Sequence, residues 1–263
     1  MTTYPQRIVC LTAETTEIAF RLGAADRIVG VSGYAMRPPE ARLKPKVAAF
    51  TTVKFGKMLE LKPDLVLSFS DLQKDIVRDL VEAGVNVLSV NQRSLAETYQ
   101  AILLIGAVLG LEANARSLIE EMEVVVEAIR RASAAFPRRP RVFFEEWDDP
   151  LISGIRWVAE IIEIAGGEDV FPEMRECNNA PQRIVDPAEV VRRNPEVIIA
   201  SWCGKKVVKS RIRQRPGWDA IEAVRHDRIY EVKSPDILAP GPSLLYGLRQ
   251  IHEILQEQAY GPA

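Results

Sequence analysis

Histidine and cysteine are scarce in this chain of 263 residues, which holds two of the first and three of the second. His226 and His252 stand in no metal-spaced cluster, which argues against a histidine-built metal centre. Cys10, Cys177 and Cys203 are odd in number and lack CxxC spacing, so they suggest neither a redox motif nor a disulfide framework. A Cys177–Cys203 bridge is expected only if the chain is exported. There is no Walker A or GxGxxG phosphate loop and no GxSxG elbow. No apolar run approaches the roughly 20 residues needed to cross a bilayer. The formal net charge is -2, which gives no electrostatic reason to expect a nucleic-acid partner or membrane insertion. Met1-Thr2-Thr3-Tyr4-Pro5 leads straight into an apolar strand without a basic n-region or a cleavage site. That reading favours the cytoplasm, with a periplasmic location as the alternative if a leader has been removed.

What is present is a folding pattern. Hydrophobic residues make up 47% of the chain and charged residues 27%, the balance of a globular protein. Ile8–Leu11, Ile28–Val31, Leu65–Phe69 and Val85–Val90 read as short buried strands, interleaved with helical spacing over Glu14–Leu22 and Asp71–Ala83. This rhythm predicts a mainly parallel sheet with helices on its faces. From Leu95 to Phe136 the signal is almost wholly helical, broken at Gly110. The stripe Leu118, Met122, Val125, Val126, Ile129 and Ala132 predicts a helix roughly 36 Å long. After Pro137 the strand–helix rhythm resumes. The expected organisation is an N-terminal α/β lobe over 1–111, a connecting helix over 112–136 and a C-terminal α/β lobe over 137–263, two Rossmann-like lobes with a ligand cleft between them.

The halves resemble each other. Arg7-Ile8-Val9 matches Arg141-Val142-Phe143, and Leu61-Lys62-Pro63-Asp64 matches Arg193-Asn194-Pro195-Glu196, which predicts two lobes of one design. In open parallel sheets ligands bind beyond the carboxyl ends of the strands, so those ends carry the candidate site. Hydroxyls in Thr12–Thr16 are expected to cap the following helix, while Glu14 is expected to face the ligand. Phe69, Trp147 and Trp202 each follow a major strand, and Tyr34 and Phe50 lie in nearby loops. Together they suggest an aromatic surface for a planar apolar ligand. The basic run Lys205, Lys206, Lys209, Arg211, Arg213 and Arg215 reads as a solvated helix face, or alternatively as a contact for an anionic group. Cys203 is a candidate soft-metal ligand or an ordinary small residue.

Several stretches resemble the helical-linker (class III) solute-binding family of ABC importers for cobalamin, haem and ferric siderophores. They are Arg7–Glu17, Gly30-Val31-Ser32, Pro38–Ala41, Leu61–Val66, Ile152-Ser153-Gly154, Ala165–Glu168, Asn194–Ile198 and Arg215–Trp218. The resemblance covers nearly the whole chain and is closest to the cobalamin-binding branch. It implies a non-enzymatic protein with no cofactor of its own, taking cobalamin or a related corrinoid as ligand. Haem, a ferric siderophore or another metal chelate is the alternative. The implied ligand-binding residues are Glu14, Tyr34, Arg37 (where the family places a tyrosine), Phe50, Phe69, Trp147, Trp202, Cys203 and, in the loop Ile237–Pro242, Ile237 and Pro240. Family members dock to a permease through one glutamate on each lobe. Gly56 and Ala188 stand at those positions, with Glu189 beside the second, which argues against ABC permease docking. A two-lobed tetrapyrrole chelatase is a further alternative, but it needs a cleft histidine as proton acceptor, and neither His226 nor His252 follows a strand.

Overall fold

The computed structural model describes residues 4–261. Met1–Thr3, on which the expectation about a leader partly rests, lie outside the described residues. The chain divides into two compact units, one of residues 1–122 with 239–243 and one of residues 123–238 with 244–263.

The first unit contains β1 (Ile8–Cys10), α1 (Ala13–Arg21), β2 (Ile28–Ser32), β3 (Lys46–Ala49), β4 (Thr52–Val53), α2 (Phe55–Glu60), β5 (Leu65–Phe69), α3 (Lys74–Glu82), β6 (Val87–Val90) and α4 (Leu95–Leu109). Its sheet runs β4-β3-β2-β1-β5-β6, parallel except for the β3–β4 hairpin. The central strands β1 and β5 are buried along their whole length, as apolar runs covered on both faces must be. One face packs Val9, Leu11, Val47, Val66 and Leu80 with Met58. Gly110 ends α4 in a left-handed conformation, φ 68°, which a residue without Cβ adopts freely. The next helix, α5 (Glu112–Ser133), contains the boundary between the units and is about 33 Å long at 1.5 Å per residue.

The second unit holds β7 (Arg141–Asp148), β8 (Leu151–Ser153), α6 (Arg156–Ile164), β9 (Glu168–Asp169), α7 (Pro187–Arg193), β10 (Val197–Ala200), α8 (Lys209–Arg213), α9 (Glu222–Arg225), β11 (Ile229–Glu231), α10 (Ser234–Ile237) and α11 (Leu244–Tyr260). Strand order is β11-β10-β7-β8, with β9 beside the start of β7. All pairings are parallel except β7–β8. Its core gathers Phe143, Phe171, Val190, Ile198, Trp202 and Trp218. The fold is the mixed α/β type with mainly parallel sheets that the alternating pattern implies.

The internal similarity extends to hydrogen bonds. In the first unit the Arg7 guanidinium donates to the carbonyls of Leu61 and Lys62, at 2.8 and 3.2 Å from Nε. Asp64 accepts from the Arg7 amide at 2.9 Å. In the second unit Arg141 donates to the carbonyls of Arg193 and Asn194 at 2.9 and 2.7 Å, and Glu196 accepts from the Arg141 amide at 2.9 Å. Lys62 and Asn194 both take positive φ, 48° and 45°. The same clamp thus closes the turn before β5 and before β10.

Candidate functional site

In the first unit, β1 runs directly into α1, and the first turn of that helix is buried. Thr12 is the N-cap but makes no side-chain cap bond. The Thr16 hydroxyl instead donates back to the Thr12 carbonyl at 2.7 Å, and the Thr15 hydroxyl lies 3.0 Å from that of Thr12. The expected hydroxyl cap is therefore replaced by hydroxyl bonds around Thr12 itself. Thr16 also hydrogen-bonds the Cys10 thiol, but burial dominates and pushes that thiol up to about 12, making Cys10 an inert core residue.

Glu14 is only 3% exposed, and burial raises its carboxyl to about 7 against opposing bonds from the Thr12 side chain and its own amide. Its Oε1 has no hydrogen-bond partner. One turn on, Glu17 is raised by burial as well, opposed by a hydrogen bond from Ser243 and by the charge of Arg37. The Ser243 hydroxyl donates to Glu17 Oε2, tying the 239–243 segment to α1. Pro240, buried in that segment, accepts a hydrogen bond from Gln92 Nε2 at 2.9 Å. Tyr34 follows β2 and is exposed, and Arg37 is half-buried. Phe50 sits half-buried in the β3–β4 hairpin, held by its carbonyl to Gln73 Nε2 at 2.7 Å. The same Gln73 accepts from the Phe69 amide at 3.1 Å, so one buried amide fixes two strand ends. Phe69 itself is buried, with the Arg93 guanidinium 5.4 Å from its ring centroid.

In the second unit the end of β7 is built from charge pairs. Glu145 is fully buried and accepts from Arg215 at 2.6 and 2.8 Å and from the Trp202 indole at 2.9 Å. Burial still raises its carboxyl, against the bonds from Arg215. Arg183, also buried, donates to both oxygens of Glu146 at 2.6 and 2.9 Å. Trp202 is consequently a core side chain, 1% exposed. Trp147 lies half-buried at the strand end, with its indole donating to the Asp149 carbonyl at 2.8 Å. Lys205 Nζ lies 3.8 Å from the Trp147 ring centroid and 5.0 Å from that of Trp202 and pairs with Asp148. Partial burial pulls the Asp148 carboxyl up, but bonds from Lys205 and Arg211 leave it below its usual value. Ile237 is buried and its carbonyl accepts from the Trp157 indole at 2.9 Å.

The basic run is largely exposed, as a solvated face should be, and several of its members also meet carboxylates. Lys205 and Arg211 meet Asp148, Arg213 meets Asp227, and Arg215 meets Glu145. Cys203 is exposed, Cys177 half-buried and Cys10 buried, and none of the three is in a disulfide. Desolvation of the Cys203 sulfur and the Glu146 charge raise its pKa, which favours the thiol over the metal-binding thiolate. His252 stacks on Phe136 at 5.4 Å with Nδ1 3.1 Å from the Ala165 carbonyl. Among the described residues, no group of three or more His, Cys, Asp or Glu side chains is placed to hold a metal ion.

Sequence reading missed Gln73, Gln92, Glu145 and Arg183. Only Glu145-Glu146 left a signal, two carboxylates at the end of an otherwise apolar strand, where burial demands cationic partners.

Aromatic rings thus stand at strand ends of both units, and the strand end of β7 in the second also carries neutralised charge pairs. The chain belongs to the periplasmic binding protein family, whose profile matches residues 8–235, and it is of the helical-linker type, a family of non-enzymatic carriers that bind small molecules and work with ABC transporters. It is 30% identical to an uncharacterized ABC transporter substrate-binding lipoprotein of Bacillus subtilis, over 97% of this chain and 82% of that protein. It is 25% identical to a vitamin B12-binding protein of Vibrio vulnificus, over 94% of this chain and 89% of that one. Among solved structures, a possible iron-binding (periplasmic solute-binding) protein of Staphylococcus epidermidis superposes with a TM-score of 0.82 at 25% identity, covering 96% of this chain and 99% of that one. Among the described residues no helix is long and apolar enough to cross a membrane.

Proposed function

We propose that this protein binds a large flat metal complex, cobalamin or a related corrinoid, without transforming it. The ligand would rest on aromatic rings at strand ends. Trp147 carries the reading: its indole N–H is already bonded within its own turn, and its half-buried ring lies at the end of β7 against the Lys205 ammonium, which would have to move aside for a planar partner to stack there. Tyr34 and Phe50 are the accessible aromatic candidates of the first unit. Phe69, Trp202, Ile237 and Pro240 would act from beneath, by holding the strand ends in shape. Similarity to a vitamin B12-binding protein along 94% of the chain supports the corrinoid.

A second reading, an iron chelate or haem, draws support from the Staphylococcus epidermidis structure. The similarity to a lipoprotein favours the exported location over the cytoplasmic one. Gly56 and Ala188 are exposed but offer no carboxylate to a permease. Glu189 is half-buried and held by Arg192 and Arg193, which pull its carboxyl down to about 2. Docking through these positions would accordingly be weak.

Titrating the protein with cyanocobalamin, dicyanocobinamide and haemin while following the visible spectrum tests the reading. A corrinoid should saturate one site, and Trp147→Ala should weaken it by about tenfold or more, the scale of a stacked aromatic anchor, with thermal unfolding little changed. Saturation by haemin alone would favour the second reading, and saturation by none of the three would overturn both.

A further inference from the structure

We propose that Glu14 and Gln92 form a paired acceptor site, flanking Pro240-Gly241, that selects a ligand edged with hydrogen-bond donors such as amides over one edged with carboxylates. This rests on the reading of the protein as a binder of flat metal complexes and narrows its ligand class.

Both side chains belong to the first unit and both are 3% exposed. Gln92 reaches the 239–243 segment through its Nε2, which donates to the Pro240 carbonyl at 2.9 Å. Glu14 reaches it through packing, since a Cβ placed on Gly241 would lie 3.2 Å from the Glu14 Cβ. Gly241 is therefore a point of close backbone approach between that segment and the first turn of α1. In each residue one oxygen, Oε1, is buried without a hydrogen-bond partner. A buried acceptor left unmatched is destabilising, and native proteins rarely keep one so. Here two such residues border the same two residues of backbone, Gln92 through its Nε2 and Glu14 through its Cβ.

The chemistry of the pair is one-sided. Gln92 has already committed an N–H to Pro240, and its free Oε1 only accepts. An ionised Glu14 also only accepts. A ligand amide or amine would satisfy either oxygen. A ligand carboxylate would meet two acceptors, with Glu17 adding like charge nearby. Corrinoids carry amide side chains around the macrocycle, whereas haem carries two propionates, so the pair separates ligands that aromatic stacking alone would treat alike.

The test uses the full chain at pH 8 with dicyanocobinamide as the amide-edged probe and haemin as the carboxylate-edged one. Visible titrations of wild type, Glu14→Ala, Glu14→Gln and Gln92→Ala are compared, with thermal unfolding as a check on folding. Glu14→Ala should weaken cobinamide by about tenfold, the scale of one hydrogen bond to a charged group, and leave haemin unchanged or tighter. Glu14→Gln, which keeps an acceptor oxygen, should recover most of the loss. If Gln92→Ala fails to fold, the Ala and Gln variants at Glu14 still decide the matter. Wild-type affinity for cobinamide in Glu14→Ala, as expected if a water satisfies these oxygens, would overturn the inference, and so would an equal loss for both probes. A wild type that takes neither probe would overturn the binding reading itself, and one that takes only haemin would overturn the corrinoid assignment and the inference together.

Discussion

Burial lifts the Glu14 carboxyl to about 7 from 4.5, and this makes the stability of the protein depend on pH in a defined direction. Between pH 4.5 and 7 the unfolded chain has released this proton while the folded chain keeps it. Stability contributed by the group therefore falls as pH rises through that window and is level above it. The full span is about 3 kcal/mol, at 1.36 kcal/mol per pKa unit. Glu14→Gln abolishes the titration. The advantage of the variant over wild type, from urea unfolding at pH 5 and pH 8, should grow with pH by up to about that amount. A difference independent of pH would show that Glu14 is solvated in the native state. Position along the chain distinguishes Glu14 from its neighbours but not its burial, which depends on the 239–243 segment returning from more than 200 residues away. The aromatic rings teach the same lesson. Trp147 lies near the end of β7 and Trp202 follows β10, yet one stays half-buried and the other is sealed into the core by Glu145, a contact across 57 positions that no local pattern encodes.

At the scale of elements, the two turns before β5 and β10 carry the most specific shared geometry. Lys62 and Asn194 hold positive φ, a region that costs an ordinary residue about 1–2 kcal/mol and a β-branched one more. Lys62 is exposed, so its replacement reports on the backbone with little loss of packing. Lys62→Ile should destabilise by about 1 kcal/mol or more, whereas Lys62→Gly should stay within about 1 kcal/mol of wild type because relief of strain offsets added freedom in the unfolded chain. Chemical denaturation of the two variants distinguishes them, and equal stabilities would contradict the strained-turn account. Much of this layer was legible in the sequence. The apolar run Leu65–Phe69 is β5 to the residue, and Gly110 separates α4 from α5 as the periodicity implies. Strand β6 starts at Val87 rather than Val85 because the Val85 amide bonds back to the Leu80 carbonyl at 3.0 Å, closing the end of α3. The short helices α8, α9 and α10, of four or five residues each, are too brief to imprint a period of 3.6, and tertiary packing decides them.

Across the whole molecule, two α/β units with the same Arg–carbonyl clamp and membership of a family of solute carriers point to one task, holding a ligand and releasing it unchanged. Family and fold were legible from motifs spread along the chain, because strand–turn–helix grammar is local. The ligand was not, because its contacts depend on side chains that meet only in the folded state. Isothermal titration of the intact chain with cyanocobalamin tests the central claim most directly. The account predicts one site per chain and a negative heat-capacity change from burial of aromatic surface, with the cobalamin recovered unaltered. Heats no larger than dilution at ligand concentrations up to the millimolar range, or a cobalamin chemically changed after incubation, would contradict it.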